Sequence, residues 1–207
     1  MNRKIVAPLS VGVLLALAIP FAANAESSFQ TGAGTLTANA NVDFRITIPK
    51  VLFLQVGAGT LYANNASVNL IDFNVAATDI GNGTSVPATA GSGDVGSGTV
   101  SARVRGNGGI VSLNVSTLGD LSNGAGNSIS WGEITTTAAA WTTGTTLPAP
   151  TITSGAGTAI PLTAVANVTN QDARWTYSYD NNTIVPAGTY GGVNVNNGRV
   201  TYTATLP

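Results

Sequence analysis

From position 36 to position 48, apolar and polar side chains alternate without a break. Leu36, Ala38, Ala40, Val42, Phe44, Ile46 and Ile48 take the even positions; Thr37, Asn39, Asn41, Asp43, Arg45 and Thr47 take the odd ones. Successive side chains of an extended chain point to opposite faces, so this period of two predicts a β-strand with one apolar face. A helix would smear the pattern round its circumference. Pro49 ends the strand, and residues 51–56 begin an apolar run fit for a buried strand. The alternation returns at Ile71, Phe73 and Val75, at Val100, Ala102 and Val104, and at Val111, Leu113 and Val115. It returns again at Trp175, Tyr177 and Tyr179, and closes the chain at Val200, Tyr202, Ala204 and Leu206.

Gly and Asn clusters separate these runs, among them Gly81-Asn82-Gly83, Gly106-Asn107-Gly108-Gly109 and Asn196-Asn197-Gly198. Both residue types accept positive φ at low cost, which tight hairpins need. Asn197-Gly198, between Val193/Val195 and Val200/Tyr202, is the strongest hairpin signal in the chain. No stretch after residue 26 has a 3.6-residue period, and residues 135–141 offer at most one helical turn. The pattern therefore predicts an all-β protein of about eight to eleven strands, an immunoglobulin-like β-sandwich of two antiparallel sheets. The stretch from Gly81 to Gly98 is expected to be the long loop.

The first 25 residues read differently. Arg3 and Lys4 precede an apolar run from Ile5 to Ile19, Pro20 breaks it, and Ala23-Asn24-Ala25 is a small-x-small cleavage signal. This is the layout of a secretory signal peptide, too short in its apolar part for the ~20 residues of a membrane span. The expected mature chain is residues 26–207, a single domain that is exported. Removing Arg3 and Lys4 from the 8 basic residues leaves 6 against 9 acidic ones, a net charge of −3.

Composition narrows the chemistry. The chain has no His and no Cys, and only 8% of its residues are charged. The commonest general base, the commonest transition-metal ligands and the thiol nucleophile are thus missing. A net negative charge leaves no basic footprint for nucleic acid. The acidic residues are spread singly, with no spacing that pairs two carboxylates for sugar hydrolysis. No catalytic residue, cofactor or metal is expected. Asp79 and Asp94 lie in Gly-rich loops, where Asp shapes turns; no Asp-x-Asp-x-Asp pattern points to calcium. Arg103 and Arg105 flank Val104 and share one face, open to two readings: an anion or glycan contact, or a solvated face on an edge strand, where charge discourages stray pairing. Trp175, Tyr177 and Tyr179 belong to an alternating strand and read as core, whereas Trp141 is expected to be exposed.

Three sequence pieces resemble the cysteine-free colonisation-factor pilins of the chaperone–usher class. They are Leu36-Thr-Ala-Asn-Ala-Asn-Val-Asp-Phe-Arg-Ile-Thr-Ile-Pro followed by Val51-Leu-Phe-Leu, then Ile129-Ser-Trp-Gly, and finally Pro186-Ala-Gly-Thr-Tyr-Gly-Gly-Val before the last strand. The resemblance implies a pilin-like sandwich that lacks one strand, supplied by the N-terminal extension of a neighbouring subunit through β-strand addition. It implies as partners other copies of the chain or related subunits, a periplasmic chaperone and an outer-membrane usher, and a place in a fimbria at the cell surface. The donor would be drawn from residues 35–42 within an extension over 26–41, with Leu36, Ala38, Ala40 and Val42 facing the groove. Val200, Tyr202, Ala204 and Leu206 would form the C-terminal strand. The strands are also numerous enough to complete their own sandwich. The alternative is then a stand-alone secreted or periplasmic binding module for a glycan or a surface partner, with residues 36–48 as its ordinary first strand.

Overall fold

The computed structural model describes residues 27–207, so the signal peptide expected over residues 1–25 lies outside the described residues. The chain divides into two units, Met1–Ile48 and Pro49–Pro207. Of the first, residues 27–48 belong to no strand or helix, with a bend at 32–34, and every residue is exposed.

The second unit is all-β. Its strands are β1 (Leu52–Val56), β2 (Val86–Pro87), β3 (Thr99–Gly106), β4 (Ser112–Ser116), β5 (Leu121–Ser122) and β6 (Ser128–Ile129). A 3₁₀ turn at Trp131–Glu133 follows, then β7 (Ile134–Ala140), β8 (Ile160–Pro161), β9 (Ala164–Val165), β10 (Val168–Tyr179) and β11 (Thr201–Thr205). A six-stranded sheet runs β1-β3-β10-β2, with β7 and β9 also paired to β10. A second sheet runs β11-β4-β8, and β5 pairs with β6. All these pairings are antiparallel.

Alternation and register together build the core. Val100 lies opposite Trp175 and Ala102 opposite Ala173 across β3 and β10, while Leu113 lies opposite Ala204 and Val115 opposite Tyr202 across β4 and β11. Val100, Ala102, Val104, Ala173, Trp175 and Tyr177 from the large sheet share one buried cluster with Leu113 and Val115 from the small one. Trp175 is wholly buried, and its indole N–H donates to the Leu147 carbonyl at 2.9 Å. That bond removes the penalty of a stranded polar atom in an apolar interior. Gly93 sets the turn before β3: its φ is +81°, and a Cβ there would stand 2.2 Å from the Thr99 carbonyl oxygen.

Three expectations need correction, and one open possibility is decided. Residues 36–48 carry the strand pattern but join no sheet. Ile71, Phe73 and Val75 form no strand; Phe73 makes one isolated bridge, to Ala88. At Asn197-Gly198 the turn chemistry is as expected, with Asn197 at φ 60°, but no hairpin forms. Instead the Asn197 side-chain amide donates to the Asp120 carbonyl, and Gly191 N–H donates to Ser122. Residues 135–141 do not turn into a helix but belong mostly to β7, because β10 offers a partner at every position from Ala173 to Tyr179 and Thr favours the extended form. The stretch from Gly81 to Gly98 is a loop interrupted by β2.

Candidate functional site

An open cleft of about 930 Å³ runs into the second unit. Its floor is apolar and belongs to the core: Leu54 and Val56 of β1, Val100 of β3, Trp131, Ile134 and Tyr177. Its rims come from the segments 63–75 and 185–200, which hold the alternating Ile71, Phe73 and Val75 and the Val193/Val195 arm of the expected hairpin, yet are irregular. Backbone bonds of the first rim run outward, from Thr89 N–H to the Asp72 carbonyl and from Gly93 N–H to the Leu70 carbonyl. Those of the second run to Ser122, through Gly191 N–H and the Asn196 carbonyl. Among the described residues, no backbone–backbone hydrogen bond crosses from one rim to the other. Val68, Leu70 and Val193 on these rims are exposed, at 58%, 48% and 65%.

The Tyr177 and Tyr202 hydroxyls meet at 2.9 Å in the cleft lining. Burial, and then the neighbouring Tyr202, push the Tyr177 hydroxyl well above its usual 10.0. Burial lifts Tyr202 to about 12, against the opposing effect of its hydrogen bond with Tyr177. Both rings therefore stay neutral at any physiological pH and act as an apolar floor with one polar seam. Val200, Tyr202, Ala204 and Leu206 all pack half-buried against the core. Tyr202 and Ala204 lie on β11, an edge of its sheet paired only with β4, and Val200 and Leu206 flank it.

The ribbon of residues 36–48, described by itself, shows large apolar side chains to solvent. Leu36 and Val42 are exposed, Phe44 is 90% exposed and Ile46 86%, and Ala38 and Ala40 are exposed too. Soluble chains scatter single apolar residues on their surface; here seven apolar residues that alternate with polar ones stand exposed in one segment. The sequence reading placed the donor at Leu36, Ala38, Ala40 and Val42; the bulkier half of the row, Phe44, Ile46 and Ile48, is equally bare.

Of the two readings of the arginine pair, the edge-strand one fails. Arg103 and Arg105 are on β3, which lies between β1 and β10 and is not an edge. Both approach Asp172 of β10, at 3.6 and 3.8 Å. Burial alone would raise that carboxyl, but hydrogen bonds from Thr142 and Thr143 outweigh it and hold it at about 2, below its usual 3.8. Trp141 is half-buried, with the Arg103 and Arg174 guanidinium groups 4.2 and 4.0 Å from its ring centroid. Sequence reasoning missed Asp172 and Arg174, because nothing in the spacing shows that β3 and β10 are neighbours. Asp94 caps the start of β3, accepting from Ser101 N–H at 2.8 Å and from its hydroxyl at 2.5 Å.

Among the described residues no group of three or more Asp or Glu converges to hold a metal ion, and no helix is long and apolar enough to cross a membrane. Compared with known protein families, curated proteins and solved structures, the chain matches none of them.

Proposed function

We propose that this chain is an exported structural subunit of a fimbria or similar surface polymer. In this reading the fold is a pilin-like, immunoglobulin-like sandwich short of one strand, and the apolar row of residues 36–48 enters the cleft of the next copy by β-strand addition. One observation carries the proposal: a single chain holds both an open apolar cleft and an exposed segment, 36–48, whose apolar residues alternate with polar ones and which belongs to no sheet. Burying large side chains such as Val42, Phe44, Ile46 and Ile48 offers roughly 1.5–3 kcal/mol each. The irregular rims offer main-chain groups that an inserted strand can pair with. A periplasmic chaperone would cover the cleft during transit, and an outer-membrane usher would order the exchange.

A second reading has its own support. The unit Pro49–Pro207 holds a buried core made entirely of its own residues, as a stand-alone exported binding module would. Size-exclusion chromatography with light scattering separates the two. The mature chain is expected to form polymers, and a chain without residues 26–48, or with Phe44→Asp and Ile46→Asp together, is expected to be monomeric. A mature chain that stays monomeric at high concentration, with the ribbon open to protease, overturns the polymer reading in favour of the module.

A further inference from the structure

On the outer face of the six-stranded sheet, away from the core, alternation brings Arg103 and Arg105 of β3 beside Asp172 and Arg174 of β10. Arg103 pairs in register with Asp172, Arg105 with Asn170, and Arg174 with Ser101. Three of the six basic residues left after position 25 therefore stand on one patch of a net-negative chain. We propose that this patch binds the carboxylate or sulfate group of an acidic oligosaccharide, with the arginines holding the anion and the adjoining threonine-lined cleft seating the sugar.

Asp172 draws Arg103 and Arg105 together. Its carboxylate accepts four hydrogen bonds, from the backbone N–H and the hydroxyl of both Thr142 and Thr143. Three of them fall on Oδ1 and one on Oδ2, so Oδ2 keeps an acceptor position, which neither arginine takes at hydrogen-bond distance. Arg103 Nε and Arg105 Nη2 remain 3.6 and 3.8 Å from Oδ2, near enough to be drawn by charge and too far for a hydrogen bond. Arg103 Nε and Arg105 Nη1 are buried without a hydrogen-bond partner, so a ligand would meet the other, more exposed N–H groups of the guanidinium edges. Asp172 thus holds the two guanidinium groups by charge, at more than hydrogen-bond distance. Trp141 steadies Arg103 and Arg174 from the side by cation–π contact. The side chains of Arg103, Arg105 and Arg174 keep 13%, 17% and 29% of their surface exposed, so a ligand can reach their edges. Arg174 also faces Asp94 at 4.0 Å; three arginines against two carboxylates leave the patch positive. A guanidinium fork is the side chain best matched to a planar or tetrahedral oxyanion.

Next to the patch lies a cleft of about 300 Å³ lined by Thr143, Thr145, Thr163, Val165, Val168 and Asn170. Asn170 is the register partner of Arg105, which ties the cleft to the cations. Hydroxyls and an amide suit sugar hydroxyls, and two valines suit a sugar's C–H face. The lining has no large aromatic or aliphatic anchor of the kind that fixes a protein partner.

Tryptophan fluorescence and calorimetry on the mature chain, in whatever assembly it purifies, test the proposal at physiological salt. The probes are oligogalacturonate for carboxylate, a chondroitin sulfate oligosaccharide for sulfate, neutral dextran of equal length, and poly-L-glutamate. Saturable binding of one or both acidic sugars, none of dextran and weaker binding of poly-L-glutamate is expected. Arg105→Gln should weaken it roughly ten-fold or more, the weight of one charge-assisted hydrogen bond. Val168→Trp, at an exposed position, fills the cleft without touching the core and should abolish binding even if the arginine variant folds poorly. Failure of both sugars to bind, equal binding of poly-L-glutamate, or unchanged binding by Val168→Trp overturns the proposal. Polymer formation does not enter any of these outcomes, so the site stands or falls apart from the fimbrial reading.

Discussion

Asp172 has no solvent exposure, yet its carboxyl is held ionised by Thr142 and Thr143 and faced by two arginines. Breaking such a buried arrangement from one side leaves charge without compensation, at a cost of about 3–5 kcal/mol. Asp172→Asn should therefore destabilise the protein by about that much: its amide oxygen can keep the Thr142 and Thr143 N–H bonds at the Oδ1 position, but its NH2 then faces Arg103 and Arg105, whose guanidinium groups lose their counter-charge. The pH dependence has a definite sign. The folded value of about 2 lies below the ordinary 3.8, so the stabilisation is full above the unfolded value and disappears as pH falls from 3.8 through 2. A gap of nearly two units corresponds to about 2 kcal/mol. Urea unfolding at pH 5 and pH 2 should show the wild type losing about that much more stability than Asp172→Asn. Equal losses would mean that the carboxyl is not ionised in the way its partners imply.

At the scale of elements, the same period-two signal has three different outcomes. Val100, Ala102 and Val104 alternate, and they form a buried central strand. Ile71, Phe73 and Val75 alternate just as well and line a cleft without a ladder. Residues 36–48 alternate longest and lie outside every sheet. Alternation records that a ribbon has an apolar and a polar side. It does not record which ribbon will pair with it, because strand pairing is set by distant residues. The reverse case is β7, whose run of Thr and Ala shows almost no alternation and pairs with β10 along its whole length. The Arg103–Asp172 contact was illegible for the same reason: its partners lie on separate strands, joined only by register. Turn chemistry was more legible, since positive φ is a local demand. Gly93 illustrates its weight. Gly93→Ala would force a side chain into the Thr99 carbonyl at a φ of +81°. It should cost about 1–3 kcal/mol, the usual range for overpacking and left-handed strain. Thermal unfolding should show the drop, and an unchanged midpoint would mean that the turn into β3 relaxes freely.

For the molecule as a whole, the open question is what an apolar row and an apolar cleft do for one another, and linkage gives the answer a magnitude. A ligand that binds only the folded state stabilises it by RT ln(1 + [L]/Kd), about 2.7 kcal/mol at a hundred-fold excess over Kd. In a domain of this size each kcal/mol moves the melting midpoint by about 2–4 °C. A synthetic peptide of residues 36–48, added in saturating amount to a chain that ends its N-terminal deletion at Ile48, should therefore raise the midpoint by about 5–10 °C. A control peptide of the same composition, with the even and odd residues interchanged pair by pair, keeps the period but moves the apolar row by one position along the strand. A scrambled peptide destroys the period altogether. If the cleft reads a one-sided row by strand addition, the scrambled peptide has no effect, while the shifted one binds with a changed register and a smaller gain. Phe44→Asp in the native peptide should remove most of the gain, because a carboxylate cannot enter an apolar floor built from Leu54, Val56, Val100 and Tyr177 without leaving its hydration behind. Equal shifts from all these peptides would show that the cleft takes any greasy chain. No shift from the native one would show that the exposed row has its partner elsewhere.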